Sequence, residues 1–213
     1  MSIQNDNNAA NEQKWSLRAA TYDDKRYGYF RYMQKELISL TGIKSPINFL
    51  DLGCGTGWAV RYVAKMTNGR GNFVGIDISK GMITQSKNNT NGLPNVYFYE
   101  ASSDSLPLES NYFDTIICTN SFHHYSRPEV ALSEVNRVLK PSGRIYILDV
   151  TADDFFIQWV NDRVRAKEKE HVKFYTTGEY GVMFNNVGLK HIASQRIKAL
   201  YPLKVHIGEK ELL

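Results

Sequence analysis

The sequence is poor in cysteine and has no long apolar run. Its two cysteines, Cys54 and Cys118, do not form the Cys-x-x-Cys spacing of a structural zinc site, so we predict no bound metal. No apolar stretch approaches about 18 residues, which excludes a membrane-spanning helix, and the polar, Asn-rich first residues do not form a secretory signal peptide. We therefore expect a cytoplasmic protein with reduced, buried thiols.

The sequence also has little net charge. Its 26 basic and 22 acidic side chains leave a formal charge of +4, which falls short of the clustered basicity of a dedicated nucleic-acid-binding protein. A hydrophobic content of 42% over 213 residues suits one medium-sized α/β domain. Residues 1–12 are polar and predict a disordered tail, so that the domain occupies 13–213.

Apolar runs of strand length alternate with patterns of helical periodicity along much of the chain. One or two helices are expected before residue 46. Strands are then predicted at 47–52, 72–77, 96–100, 113–119 and 144–150, with helices at 58–66, about 80–89 and 128–139 between them. Two helices at about 153–170 and 177–187 and two strands at 189–199 and 203–207 follow. This alternation predicts βαβ units and a mostly parallel sheet with right-handed crossovers.

Three glycines at alternate positions follow the first predicted strand and precede a predicted helix. Gly53, Gly55 and Gly57 suit a tight turn whose backbone lies against a ligand, and the helix N-terminus favours an anionic or carboxylate group. A phosphate-binding P-loop needs Gly-Lys-Ser or Gly-Lys-Thr, but Trp58 follows Gly57. Trp58 also stands where a dinucleotide fingerprint needs its third glycine, which argues against that class as well.

The pattern Asp-x-Gly-x-Gly-x-Gly at 51–57, with Asp77 ending the second strand, resembles the cofactor motif of class I S-adenosylmethionine (SAM)-dependent methyltransferases. The resemblance continues through 74–79, through Leu106-Pro107-Leu108 with 113–114, and through 137–144. It covers roughly 47–150 and is closest to the small-molecule branch that includes the ubiquinone/menaquinone-biosynthesis methyltransferases.

This resemblance implies a Rossmann-like three-layer αβα sandwich. The expected sheet is mostly parallel and seven-stranded with an antiparallel last strand, under an N-terminal helical lid. The domain then divides into lid helices at 13–46, a cofactor-binding core at 47–150, and C-terminal helices and closing strands at 151–213.

The same resemblance implies SAM as cofactor and assigns roles at its site. The glycine loop faces the methionine end, Asp77 accepts from the ribose hydroxyls, and Asp51 lies near the ligand's amino group or braces the loop by accepting from backbone N–H groups. The predicted cofactor-binding residues are Tyr22, Asp51, Gly53, Cys54, Gly55, Gly57, Asp77, Ile78, Ser102, Ser103 and Asn120.

The segment predicted to bind adenine departs from the family pattern. Ser102 stands where the family commonly has an aspartate, and Glu100 or Asp104 could replace the missing acid. The backbone N–H of Ser103 can still donate to a ring nitrogen, and Ile78 and Leu106 are expected to enclose the ring or to belong to the core.

The predicted reaction is methyl transfer by in-line displacement to a small-molecule acceptor, with O- or C-methylation favoured. His123 or His124 is the candidate general base, the alternative being that one packs or caps the loop while the other shapes the pocket. An RNA or protein methyltransferase and a non-catalytic SAM-binding module remain as alternatives. The Asn-Pro-Pro-Tyr sequence of amine-modifying DNA methyltransferases is absent.

The acceptor is expected between the N-terminal helices and the segment after residue 150. Aromatic side chains from both sides either line this pocket or belong to the core. They are Tyr22, Tyr27, Tyr29, Phe30, Phe155, Phe156, Trp159, Phe174 and Tyr175. The expected partner is the small-molecule acceptor, with a second copy of the chain in a homodimer as a further possibility.

Overall fold

The computed structural model of the chain describes residues 2–23, 28–90, 92–167, 172–199 and 202–212. Tyr27 lies outside these ranges. The helices are α1 (Ser2–Arg18), α2 (Gly28–Thr41), α3 (Trp58–Met66), α4 (Lys80–Asn88), α5 (Pro128–Val138), α6 (Phe155–Lys167) and α7 (Thr177–Asn186). The strands are β1 (Ile47–Leu52), β2 (Gly71–Asp77), β3 (Val96–Glu100), β4 (Phe113–Thr119), β5 (Leu139–Val150), β6 (Leu189–Arg196) and β7 (Leu203–Lys210).

The seven strands form one sheet in the order β3-β2-β1-β4-β5-β7-β6. The pairs among β1 to β5 are parallel, and β7 runs antiparallel to both of its neighbours. The predicted Rossmann-like sandwich with an antiparallel last strand is therefore confirmed. The strands β2 and β3 lie on one side of β1, whereas β4 and β5 lie on its other side. Open α/β sheets bind ligands at the point where the strand order changes side in this way.

Successive side chains of β1 enter two different hydrophobic cores, because neighbouring residues of a strand point to opposite faces of the sheet. Phe49 packs in a core with α2 and α3, whereas Leu50 packs in a core with α5 and α7. Both side chains are fully buried. A sheet covered on both faces explains why β1 and β4 are nearly continuous apolar runs.

Local capping sets several helix boundaries. The side chain of Ser79 accepts from the backbone N–H of Met82 and begins α4, as predicted. Thr176 and Glu179 form a reciprocal capping box at the start of α7. β5 begins at Leu139 instead of 144, because an irregular stretch extends its pairing with β4.

The N-terminus differs from the prediction. Residues 2–12 belong to α1, although their polar composition predicts disorder. This helix lies against α4 and the loop after β4 through the polar side chains of Asn11 and Ser16 and through the indole ring of Trp15. Within the described ranges, none of the helices is both long and apolar enough to cross a bilayer.

The ring of Phe98 in β3 fills the space left by two glycines. A Cβ added at Gly75 would lie 2.6 Å from this ring and 2.8 Å from Sγ of Cys54. A Cβ at Gly57 would lie 2.4 Å from the same ring. The glycine loop therefore packs against the Phe98 ring, and this contact leaves no room for a methyl group at Gly57 or Gly75.

Gly75→Ala should lower the free energy of unfolding by about 1–3 kcal/mol, because the added methyl group overpacks the contact with Phe98. Urea denaturation measures this change. Gly178→Ala in α7 is the control, since its Cβ would meet one atom at 4.0 Å and alanine suits a helix better than glycine, so its stability should not fall. Equal stability of Gly75→Ala and wild type would contradict the described packing, and Phe98→Leu should partly rescue Gly75→Ala.

Candidate active site

A cleft of about 800 Å³, including its open mouth, lies at the carboxyl edge of the parallel strands. Its walls come from the ends of β1, β2 and β4, the loop after β3, and α1. It is lined by the predicted cofactor residues Tyr22, Gly53, Gly55, Asp77, Ile78, Ser102, Ser103 and Asn120. The other predicted residues, Asp51, Cys54 and Gly57, are buried and do not line the cleft.

The glycines of the loop have different neighbours, although all adopt positive φ angles. A Cβ at Gly53 would lie 2.2 Å from Oγ of Ser121, and a Cβ at Gly57 would collide with a core aromatic ring. A Cβ at Gly55 would meet only Tyr22, at 3.6 Å. Gly53 and Gly57 therefore serve packing within the protein, whereas Gly55 leaves its backbone accessible from the cleft.

Asp77 joins the glycine loop to the start of α4. One carboxylate oxygen accepts from the backbone N–H of Gly55 at 2.8 Å, and the other accepts from the N–H of Ser79 at 2.9 Å. Burial raises the pKa of Asp77, and these two hydrogen bonds oppose the shift. Each oxygen retains acceptor capacity, so the carboxylate can also accept from the hydroxyls of a ligand in the cleft.

Asp51 is fully buried, and neither of its side-chain oxygens has a hydrogen-bond partner among the described residues. The backbone donors that a loop-bracing role requires are thus not seen. Burial, assisted by the charge of Asp77, raises the pKa of Asp51 to about 8. Because an unpaired buried acceptor is costly, this position suits a cationic donor such as the ammonium group of an amino-acid ligand.

The loop after β3 provides hydroxyl groups and one acid to the cleft. Ser102, Ser103 and Asp104 line it, whereas Glu100 is exposed outside it. The carboxylate of Asp104 is already paired with the guanidinium group of Arg127 at 2.7 Å. Of the two alternative acids, Asp104 is the one that lines the cleft.

Leu106, the second apolar residue expected at the adenine ring, is buried in the core. It does not line the cleft, in contrast to Ile78.

The cleft is lined by His124 but not by His123. The imidazole ring of His124 lies edge-on to the indole of Trp15, with 5.8 Å between the ring centroids. Its backbone carbonyl accepts from Nδ2 of Asn11 at 3.4 Å. His124 therefore stands at the junction of α1 and the loop after β4.

His123 does not line the cleft and instead connects three segments behind its lining. Its Nδ1 lies 2.8 Å from one carboxylate oxygen of Asp149, and its backbone N–H donates to the other at 3.0 Å. Its carbonyl accepts from the backbone N–H groups of Val172 and Lys173. Asp149 is fully buried at the end of β5, so His123 fastens the loop after β4 to β5 and to the segment before α7.

The described aromatic side chains expected around the acceptor do not line one common pocket. Tyr22 stacks on Phe30, and Tyr29 and Phe30 pack against a hydrophobic core. Phe155, Phe156 and Trp159 on α6 have exposed fractions of 84%, 66% and 46%. Tyr175 belongs to a buried core, and Phe174 packs against the ring of His123. Of this aromatic set, Tyr22 lines the cleft.

Sequence reasoning missed the contribution of α1, because residues 1–12 were expected to be disordered. Asn8, Asn11 and Trp15 line the cleft from this helix. The absence of glycine and proline between residues 2 and 18 was the available signal for a continuous helix. Thr119, Ser121, Tyr125 and Ser126, which also line the cleft, come from the end of β4 and the loop behind it.

Comparison with known proteins finds a family match over part of the chain. Residues 50–147, slightly less than half of the chain, match the family model described as a methyltransferase domain. The ubiquinone/menaquinone biosynthesis C-methyltransferase UbiE of Wigglesworthia glossinidia brevipalpis is 28% identical over 66% of this chain and 58% of its own length. UbiE of Francisella tularensis subsp. novicida is 31% identical over 58% of this chain and 50% of its own length. The chain thus spans little more than half of these relatives.

Solved structures share the fold. A SAM-dependent methyltransferase from Aquifex aeolicus has a TM-score of 0.72 and 24% identity, over 91% of this chain and 97% of its own. A chain from the complex between the Haloferax volcanii Trm112 methyltransferase activator and a protein described as a methyltransferase has a TM-score of 0.81 and 19% identity. That match covers 93% of this chain and 98% of the other.

The fold, the ordered motifs and the matched domain are those of class I SAM-dependent methyltransferases, a class whose cofactor is SAM. Within the class, the chain resembles the ubiquinone/menaquinone biosynthesis C-methyltransferases.

Asp51→Asn should change how stability depends on pH. The folded protein keeps a proton on Asp51 up to about pH 8, whereas an unfolded chain releases it above about pH 4. Since the folded state binds more protons between these values, this group lowers the free energy of unfolding as pH rises, by up to about 1.4 kcal/mol per pH unit. Asn at this position removes that slope.

Urea denaturation of ligand-free wild type and Asp51→Asn, from about pH 5 to 8, measures the difference. Asp162→Asn, at an exposed position of α6, is the control and should follow wild type. Parallel curves for wild type and Asp51→Asn would show that the Asp51 pKa is not raised.

Proposed function

We propose that the chain transfers a methyl group from SAM to an oxygen or carbon atom of a small-molecule acceptor. The observation that carries the proposal is Asp77, which lines the cleft and holds the glycine loop through Gly55, beside the buried, unpartnered side chain of Asp51. The names of the UbiE relatives favour carbon as the methylated atom.

The residues in and beside this cleft support a role toward each part of the cofactor. Asp77 would accept from the ribose hydroxyls, and the buried side chain of Asp51 would favour the ammonium group from behind the cleft lining. Ser102, Ser103 and Ile78 would contact the base, with Asp104 nearby as the acid the family pattern requires. When bound, SAM supplies an electrophilic methyl group on a sulfonium sulfur.

Positioning is the main task left to the protein, because the donor is already reactive. Orienting the acceptor in line with the transferred group can contribute about 7–11 kcal/mol at best. The helix α1, the Tyr22 ring and the loop after β4 enclose the cleft and would keep water from the reacting atoms.

A general base is needed only when the acceptor loses a proton. His124 is the imidazole that lines the cleft, and we assign it this role. His123 positions the loop that carries His124, through its bonds to Asp149. This assignment makes one of the two histidines structural.

A macromolecular acceptor is the second candidate, since the Haloferax volcanii neighbour was solved with a methyltransferase activator. That likeness concerns the fold, and it allows an activator protein as a partner of this chain as well. An RNA acceptor predicts binding that weakens steeply with salt.

Asp77→Asn should weaken SAM binding by roughly 10- to 150-fold, since a hydrogen bond to a charged group contributes about 1.5–3 kcal/mol. Calorimetry with SAM and with its demethylated product measures the two dissociation constants. Asp162→Asn should bind like wild type. The proposal fails if wild type binds neither ligand, and the role of Asp77 fails if its variant binds as tightly as wild type.

Transfer itself is tested with methyl-labelled SAM and a panel of quinols, phenols and small carboxylates. Label in any small molecule supports the proposal, whereas label only in RNA or protein supports the second candidate. Tight SAM binding without label in any acceptor would leave a non-catalytic SAM-binding module.

His124→Gln should lower kcat by roughly 10²- to 10⁴-fold on an acceptor that loses a proton, with little change in the SAM dissociation constant. His123→Gln should instead lower the free energy of unfolding by about 1–3 kcal/mol, because Asp149 loses a buried partner. Rapid-quench kinetics and urea denaturation separate these effects. Loss of turnover in folded His123→Gln, with normal His124→Gln, would reverse the assignment.

A further inference from the structure

The helix α1 is held across the cleft by polar contacts at two places. Near its C-terminal end, Oγ of Ser16 lies 2.9 Å from Oγ of Ser79 and accepts from the backbone N–H of Gly81 at 3.1 Å. One turn earlier, Nδ2 of Asn11 donates to the carbonyl of His124. The helix therefore spans from the loop after β2 to the loop after β4.

Asn11 has a side-chain oxygen without a hydrogen-bond partner among the described residues. The residue is 6% exposed and lines the cleft. The orientation of its amide is determined, because only Nδ2 can donate to the carbonyl of His124. Its Oδ1 is therefore a buried acceptor in a ligand cleft.

The sheet order indicates which part of the cleft Asn11 serves. The predicted contacts to adenine, ribose and methionine follow β3, β2 and β1, which are neighbours in that order. The next strand is β4, whose following loop carries His124, the partner of Asn11. Asn11 thus lies beyond the methionine end, on the side from which an acceptor would approach.

The other groups in this part of the cleft define the chemistry that it accepts. Side-chain polar atoms of Thr119, Asn120 and Ser126 are also buried without partners among the described residues. The lining contains no lysine or arginine within the described ranges. Such a surface favours a neutral or cationic molecule with hydrogen-bonding groups over an anion.

We propose that Asn11 is a specificity-determining residue for the methyl acceptor, and that its side-chain carbonyl accepts a hydrogen bond from an O–H or N–H group of that acceptor. The inference rests on the proposed function. An acceptor without such a donor leaves Oδ1 buried and unpaired, so it binds more weakly.

Two pairs of probes in which methyl groups replace the donor hydrogens test this inference: hydroquinone with 1,4-dimethoxybenzene, and aniline with N,N-dimethylaniline. Their dissociation constants are measured by ligand-observed NMR on protein saturated with S-adenosylhomocysteine. Wild type should prefer the donor-bearing member of at least one pair by roughly tenfold, and Asn11→Leu should abolish the preference. Gln13→Leu, at an exposed carboxamide of the same helix, should keep it.

Calorimetry with S-adenosylhomocysteine on the same samples separates the two proposals. Failure of wild type to bind it would refute the proposed function, whereas binding without preference in either probe pair would refute the role of Asn11 alone. A weaker S-adenosylhomocysteine affinity in Asn11→Leu would show that Asn11 contacts the cofactor instead. Circular dichroism confirms the fold, and Asn11→Ala replaces the leucine variant if that one does not fold.

Discussion

The carboxylate of Asp77 is the contact on which the candidate site depends. By accepting from Gly55 and Ser79, it ties the loop after β1 to the residue that caps α4. The side chain of Ser79 in turn contacts Ser16 of α1. A single acid at the end of β2 thus links the glycine loop, a helix N-terminus and the helix that crosses the cleft, and it does so before any ligand binds.

A second anchor lies in β5, three strands away from β2 in the sheet. The carboxylate of Asp149 contacts the backbone N–H and the ring of His123. The backbone carbonyl of the next residue, His124, accepts a hydrogen bond from Asn11. The two walls of the cleft are therefore fixed by buried acids at strand ends, and α1 bridges them. This arrangement explains how a polar helix can be placed over a cleft without a hydrophobic core of its own.

Much of the fold was predictable because it follows from local patterns. β1, α3 and β4 have their predicted bounds, since apolar runs that end at glycines or polar residues mark buried strands clearly. The positions of α1 and Asp149 were not predictable in this way. A polar helix has no periodic stripe, and the contact between His123 and Asp149 joins residues 26 positions apart, which no local pattern encodes.

The predicted cofactor-binding residues also differ in whether the sequence alone could place them. Gly55, Asp77 and Asn120 line the cleft as expected, because their motif fixes them at strand ends. Gly57 does not, because its missing side chain makes room for Phe98. A motif indicates that glycine is needed at a position. Only the surrounding packing shows whether the space left by the missing side chain is filled by a ligand or by the protein itself.

The charge of Asp77 has a consequence for the proposed turnover. Methyl transfer converts a sulfonium into a neutral thioether, so the spent cofactor would leave with one positive charge fewer than the fresh one carried in. The Asp77 carboxylate, in a cleft whose described lining has no lysine or arginine, would hold the more positive species more firmly. The electrostatics of the site would thus favour exchange of product for cofactor and oppose product inhibition.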